Sequence, residues 1–139
     1  MAGEVTLTRV YHFSAAHELV NATLAPAANA ALYGACHRPH GHNYYLEVSV
    51  AGVPDPVTGM AVDLAALDER VQRLVLDEVD HRKLEEVPAL AGVITTGEGL
   101  ARAFWRVLEP AVTPAGTLRR VSVVETAKNR FEYRGDAND

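Results

Sequence analysis

With 139 residues, 48% of them hydrophobic and 22% charged, the chain can bury one compact core but is short for two, so residues 1–139 are expected to fold as a single domain. A formal charge of −5 argues against nucleic acid as a partner, because proteins that coat a polyanion gather a basic excess into a stripe. The lone cysteine, Cys36, excludes an internal disulfide and fits a reducing, cytoplasmic setting, while no apolar run reaches membrane-spanning length.

The first ten residues carry Glu4 and alternate apolar with polar positions, unlike a signal or transit peptide. Val5, Leu7 and the residues through Phe13 read as a first half-buried strand, and Tyr44, Leu46, Val48 and Val50 as a second. Residues 21–35, alanine-rich and interrupted by Pro26, fit either a short helix or an ordered loop. Val53-Pro-Asp-Pro-Val-Thr-Gly59 is a turn by its chemistry, proline fixing φ and glycine permitting a positive one.

Asp63 can cap a helix that places Leu64, Leu67, Val71, Leu74 and Val75 on one face. Thr95-Thr96-Gly97-Glu98 fits a capping box for a second helix, whose stripe of Leu100, Ala101, Phe104, Trp105 and Leu108 ends at Pro110. Residues 118–125 and 130–134 form a final strand pair, followed by a polar tail over 135–139. The order ββααββ predicts an α+β domain, an antiparallel sheet with two helices on one face.

The chemistry concentrates in Cys36-His37-Arg38-Pro39-His40-Gly41-His42-Asn43. In extended chain, residues two apart point to the same side about 7 Å apart, so His40 and His42 can converge on one ion. Zinc takes imidazole nitrogens readily, and catalytic sites typically combine three protein ligands with an open position. His12, His17, His37 and His81 are all candidates for the third. Cys36 is either a small buried hydrophobe or, four residues before a ligand, a thiol at an electropositive mouth where its thiolate is favoured. Asp80-His81 alone reads as a solvated turn, and Glu125 as a solvated strand end.

Phe-Ser-Ala-Ala-His17, Cys36-x-x-x-His40-Gly-His42-Asn43-Tyr44, Asp55-Pro-Val-Thr-Gly59-Met60, Leu-Asp-Glu-Val-Asp80-His81, Thr96-Gly-Glu98 and Val-Glu125-Thr126 occur in order along almost the whole chain. This series resembles the 6-pyruvoyl-tetrahydropterin and 6-carboxytetrahydropterin synthase family. The resemblance implies Zn2+ held by His17, His40 and His42. It also implies Cys36 as general base with Asp80 and His81 completing the proton-transfer set, and a small-molecule pterin substrate, 7,8-dihydroneopterin triphosphate, anchored by Glu125. Thr96 and Glu98 lie in a matching segment and join the substrate-binding candidates. The implied fold is the tunnelling fold, a homo-oligomeric barrel of trimers or hexamers with active sites between subunits.

Two positions depart from the family's habit: Glu18 and Ala35 stand where basic residues are common. Arg38, beside the cysteine, is the expected compensation for the triphosphate. Lys83, Lys128 and Arg130 are further basic candidates. The three residues between Cys36 and His40 favour the 6-carboxy product with loss of acetaldehyde. The flanks Leu32-Tyr33-Gly34, Asn43-Tyr44-Tyr45 and Gly59-Met60 favour the 6-pyruvoyl one. Loop length beside the base is given the greater weight here, because it sets which side-chain bond lies over the metal. A zinc-binding scaffold without lyase chemistry, or a zinc hydrolase, are the readings of another class. Cys36→Ala separates them, since a hydrolase using metal-activated water survives it.

Overall fold

Alternation in the first half of the chain produces two long strands, β1 (Val5–His17) and β2 (His40–Gly52). They pair antiparallel over their full length, from Val5 opposite Gly52 to His17 opposite His40. The structure is a computed structural model that describes residues 3–113 and 115–136. The remaining positions of the expected 1–139 domain, including the last three of the polar tail, lie outside the described residues. β1 runs four residues past Phe13, because pairing with β2 holds Ser14, Ala15 and Ala16 extended although their small side chains carry little strand preference of their own.

Between these strands the undecided segment is a helix, α1 (Pro26–Tyr33), with proline in its first turn where a missing N–H costs nothing. A 3-10 turn, Gly34–His37, follows and carries Cys36. Asp55 closes the next turn by accepting from the amides of Val57 and Thr58, and Gly59 adopts φ 74° there.

Asp63 caps α2 (Leu64–Val71), its side chain accepting from the Ala66 amide at 3.0 Å. The helix then widens into one π turn, Gln72–Leu76, and tightens again as α3 (Asp77–Val79). A two-residue strand, β3 (Arg82–Lys83), precedes α4 (Gly97–Val112), β4 (Thr117–Thr126) and β5 (Asn129–Tyr133).

The sheet order is β3-β1-β2-β4-β5. Three of its pairings are antiparallel as expected, but β3 runs parallel to β1, so the sheet is mixed. Two further expectations are corrected. The ββααββ order omits α1, an alanine-rich helix whose buried residue is Asn29 and which carries no apolar stripe, and β3, which is too short to show a period. The capping box does not form: Thr96 is the N-cap, and the position that would return its bond is Gly99, which has no side chain. The helix also continues two residues beyond Pro110, at the cost of the one amide that proline lacks.

α2 and α4 cover one face of the sheet. There Phe13, Tyr44, Leu46, Val48, Val121 and Val123 meet Leu67, Val71, Leu100, Phe104 and Leu108, all buried. Each such side chain contributes roughly 1.5–3 kcal/mol by leaving water. Gly97 is required where α4 begins, since a Cβ there would lie 1.9 Å from the Phe131 ring of β5. The opposite face is polar: Arg120 reaches Glu47 at 3.1 Å and Glu132 at 2.7 Å. β3 covers only Ala15 and Ala16 on the outer edge of β1, leaving residues 5–14 without a strand neighbour on that side among the described residues. No helix of the described residues is long and apolar enough to cross a membrane.

Candidate active site

Strand register assembles the first half of the site. His17 ends β1 directly opposite His40, which begins β2, and His42 lies two residues further along the same face. One ring nitrogen from each of the three lies within 4.8 Å of the others. Of the four candidates left open by spacing, His17 is therefore the one that joins His40 and His42.

The supporting hydrogen bonds determine which nitrogens are free. His17 Nδ1 donates to the Thr95 carbonyl at 2.9 Å, and His40 Nδ1 donates to the Arg38 carbonyl at 2.7 Å. Both bonds leave Nε2 as the available lone pair. His42 Nε2 is buried with no hydrogen-bond partner. An orphaned buried imidazole nitrogen beside two others whose rings are fixed by backbone carbonyls is a donor set that fits a metal ion.

Burial favours the coordinating, neutral form of His17 and His42. Burial pulls His17 down to about 4, and the neighbouring His40 and His42 push the same way against the Thr95 bond. Burial likewise lowers His42, opposed by the charge of Glu125. Burial and Glu125 together raise the phenol of Tyr44, whose hydroxyl lies 3.4 Å from the His17 ring nitrogens. Glu125 thus acts on the histidine side of the sheet. It sits where the β4–β5 register shifts between Val124 and Thr126 and pairs with neither neighbour strand, an irregularity of the kind that re-aims a side chain.

The second half lies at the outer edge of β1. His81 Nδ1 is 3.0 Å from Asp80 Oδ1, a contact between adjacent residues made possible by a positive φ of 60° at His81. Ser14 fixes the pair from both sides: its amide donates to Asp80 Oδ1 at 2.9 Å, and its carbonyl accepts from the His81 amide at 2.6 Å. The Ser14 amide, with His81 helping, holds the Asp80 carboxyl below the usual range. His81 projects into solvent, 83% exposed.

Cys36 is also exposed, and among the described residues no hydrogen bond joins its thiol to the Asp80–His81 pair or to the histidines. The structure therefore brings the three histidines together, and leaves Cys36 and His81 exposed on different elements, with no hydrogen bond joining Cys36 to the Asp80–His81 pair among the described residues. Thr96 spends its hydroxyl on the α4 cap, while Glu98 is exposed in the first turn of that helix. Arg38 is exposed and acts within the chain through its carbonyl. Glu18, the departure from habit, pairs with Lys83 at 2.7 Å.

Sequence reading missed Thr95, Ser14 and Tyr44. Each lies in a segment that the sequence reading quotes without giving it a role in the site; Thr95 reads there as the cap of the second helix, and its own hydroxyl is buried without a partner.

Comparison with known proteins agrees with this geometry. Residues 6–136 match the family described as 6-pyruvoyl tetrahydropterin synthase. A "6-pyruvoyl tetrahydrobiopterin synthase" of Poecilia reticulata is 40% identical over 94% of this chain and 90% of its own. The solved structure of a Caenorhabditis elegans 6-pyruvoyl tetrahydropterin synthase is 38% identical, with a TM-score of 0.90 over 97% of this chain and 98% of that one. A "6-carboxy-5,6,7,8-tetrahydropterin synthase" of Synechocystis is 30% identical over 88% of each chain.

Proposed function

The chain belongs to the 6-pyruvoyl tetrahydropterin synthase family, and from that premise we propose that it is a zinc-dependent lyase. Its substrate is 7,8-dihydroneopterin triphosphate, and its products are the 6-pyruvoyl tetrahydropterin and triphosphate. The observation that carries this reading is the cluster of His17, His40 and His42, with an orphaned Nε2 on His42 and backbone carbonyls holding the other two rings.

The choice of product reverses the weight given to loop length. The relatives bearing the 6-pyruvoyl name are more alike to this chain, at 40% identity against 30% for the 6-carboxy relative. Leu32-Tyr33-Gly34, Asn43-Tyr44-Tyr45 and Gly59-Met60 are on this account better guides than the spacing of Cys36 and His40.

Bound zinc supplies Lewis acidity, lowering the cost of negative charge on a side-chain oxygen as the adjacent proton leaves. Glu125, re-aimed at its register break, accepts the ring N–H and exocyclic amine of the pterin as a bidentate pair. Cys36, as thiolate, takes the side-chain proton. His81, oriented by Asp80 at 3.0 Å, carries a proton to or from the substrate, so that hydrogen is redistributed within the substrate and no nicotinamide or flavin is needed. Thr96 and Glu98, at the start of α4 beside the carbonyl that holds His17, line the pterin end.

Cys36 and His81 are both exposed and share no hydrogen bond, and on this reading the complete set forms between copies of the chain in a trimer or hexamer. The unpaired edge of β1 supports this assembly.

The test is to incubate the zinc-loaded protein with 7,8-dihydroneopterin triphosphate and identify products by mass, with Cys36→Ala alongside. The 6-pyruvoyl product is expected. A 6-carboxy product with acetaldehyde would restore the loop-length argument, and an equally active Cys36→Ala would end the lyase reading in favour of metal-activated water.

A further inference from the structure

Residues 18–39, which carry Cys36, leave the sheet after His17 and return to it at His40. None of their apolar side chains is buried, and their one buried residue is Asn29. Apolar burial therefore gives this excursion no fixed point, and hydrogen bonds set its shape. Asn29 holds the far end: its side chain accepts from the Asn21 amide at 2.9 Å and donates to the Asn21 carbonyl at 3.1 Å.

The neck is held in the same manner. Leu19, two residues past His17, donates its amide to the Cys36 carbonyl at 2.8 Å. Its own carbonyl accepts from His37 Nδ1 at 3.0 Å, and because a carbonyl only accepts, His37 carries the proton on that nitrogen. On the other side of the thiol, the Arg38 amide donates to the Ala35 carbonyl at 3.1 Å, and the Arg38 carbonyl accepts from His40 Nδ1. The turn bearing Cys36 is thus spanned between positions that adjoin two of the three clustered histidines.

Most of these neck bonds use backbone groups that any sequence supplies. His40 is a member of the cluster, and His37 is not. We infer that, with Cys36 as the general base of the proposed reaction, His37 is its positioning residue: through the Leu19 carbonyl it ties the residue after the thiol to the strand end that holds His17. A single hydrogen bond at the neck leaves a pivot. Two bonds to one residue, from Cys36 and from His37, fix orientation as well as distance. Cys36 is exposed and has no packing to do this for it, and a misplacement of about 1 Å at a reacting group is felt on the order of 100-fold in rate.

The test pairs turnover with hydrogen exchange at the Leu19 amide, read by mass spectrometry with residue-level fragmentation on the zinc-loaded protein. His37→Ala is expected to speed that exchange about tenfold. It is also expected to lower kcat on 7,8-dihydroneopterin triphosphate about tenfold, with KM within about twofold and bound zinc unchanged. His37→Asn, whose Nδ2 sits on Cγ as the imidazole Nδ1 does, is expected to restore both readouts to within about threefold of the unmodified chain. His37→Leu, which has the shape of asparagine without the proton, is expected to match alanine and serves in its place if alanine does not fold. Leu19 exchange or kcat indifferent to these changes, asparagine no better than leucine, or a loss of zinc in step with the loss of rate would overturn the assignment. If the unmodified protein leaves the pterin untouched while Leu19 exchange still follows the donor at position 37, the reading of the reaction fails and the clamp on Cys36 stands.

Discussion

The two halves of the candidate site are built in opposite ways. The histidine cluster is complete within one chain and partly buried, with two of its rings held by backbone carbonyls. Cys36 and the Asp80–His81 pair are exposed, lie on different elements and make no hydrogen bond to each other. A group that must hold an ion in fixed geometry benefits from strand register and burial. The groups proposed to move protons would need access to substrate, which exposure gives them. One copy therefore contains the whole histidine cluster, and the two exposed parts of the proposed chemistry stand apart from it in the hydrogen-bond network.

The strongest way to break this contrast is through the exposed half. Cys36→Ala is expected to lower turnover by about a thousandfold while metal content, measured by elemental analysis, stays at the unmodified level. Mixing unfolded-and-refolded Cys36→Ala with His81→Ala is then expected to recover about a quarter of full activity, the statistical share of interfaces with an intact residue on each side. No recovery would place both parts in one copy.

The buried half responds differently. His42→Ala is expected to weaken metal affinity by at least about 100-fold, the scale on which loss even of a supporting hydrogen bond is felt, and elemental analysis after dialysis reads it directly. Acid sharpens the contrast further. His17 is held near 4 by burial, so between about 6.5 and 4 the unfolded chain takes up a proton that the folded chain refuses. Stability is then level above that window and falls as pH drops through it. The metal-free protein is expected to lose roughly 5 °C more in melting temperature between pH 7 and 4.5 than does His17→Gln.

The smallest effect concerns Arg38, whose backbone, not its side chain, braces His40. Arg38→Ala is expected to raise KM for the triphosphate substrate less than threefold with metal content intact. A tenfold rise would return phosphate binding to Arg38.

Legibility followed the same division. Alternation placed His40 and His42 on one side of a strand, and the structure agrees. The third ligand could not be chosen by spacing, because the pairing of His17 with His40 is a long-range register that only the antiparallel ladder reveals. The Asp80–His81 contact had no local signal, since it depends on one backbone angle of 60° that a histidine rarely adopts. β3 was invisible because two residues cannot show a period, and its parallel pairing is what makes the sheet mixed. The strong periods of the two main helices gave most of their core faces, with Leu67, Val71, Val75, Leu100, Ala101, Phe104 and Leu108 buried, while Leu64, Leu74 and Trp105 of the expected stripes are only half-buried.

The π turn at Gln72–Leu76 has a consequence for the phase of everything that follows it. An α-helix advances about 100° per residue, and a π turn absorbs one residue beyond the regular count. Leu67 and Val71 before it, Val75 within it and Val79 after it all reach the core, so the wide turn acts as a phase correction between two runs of the same helix. Deleting a single residue within it would rotate the downstream end by about that angle. Asp80 would then swing away from the Ser14 amide that anchors it, which makes the angular setting of the acid–histidine pair a property of a helix turn several residues upstream.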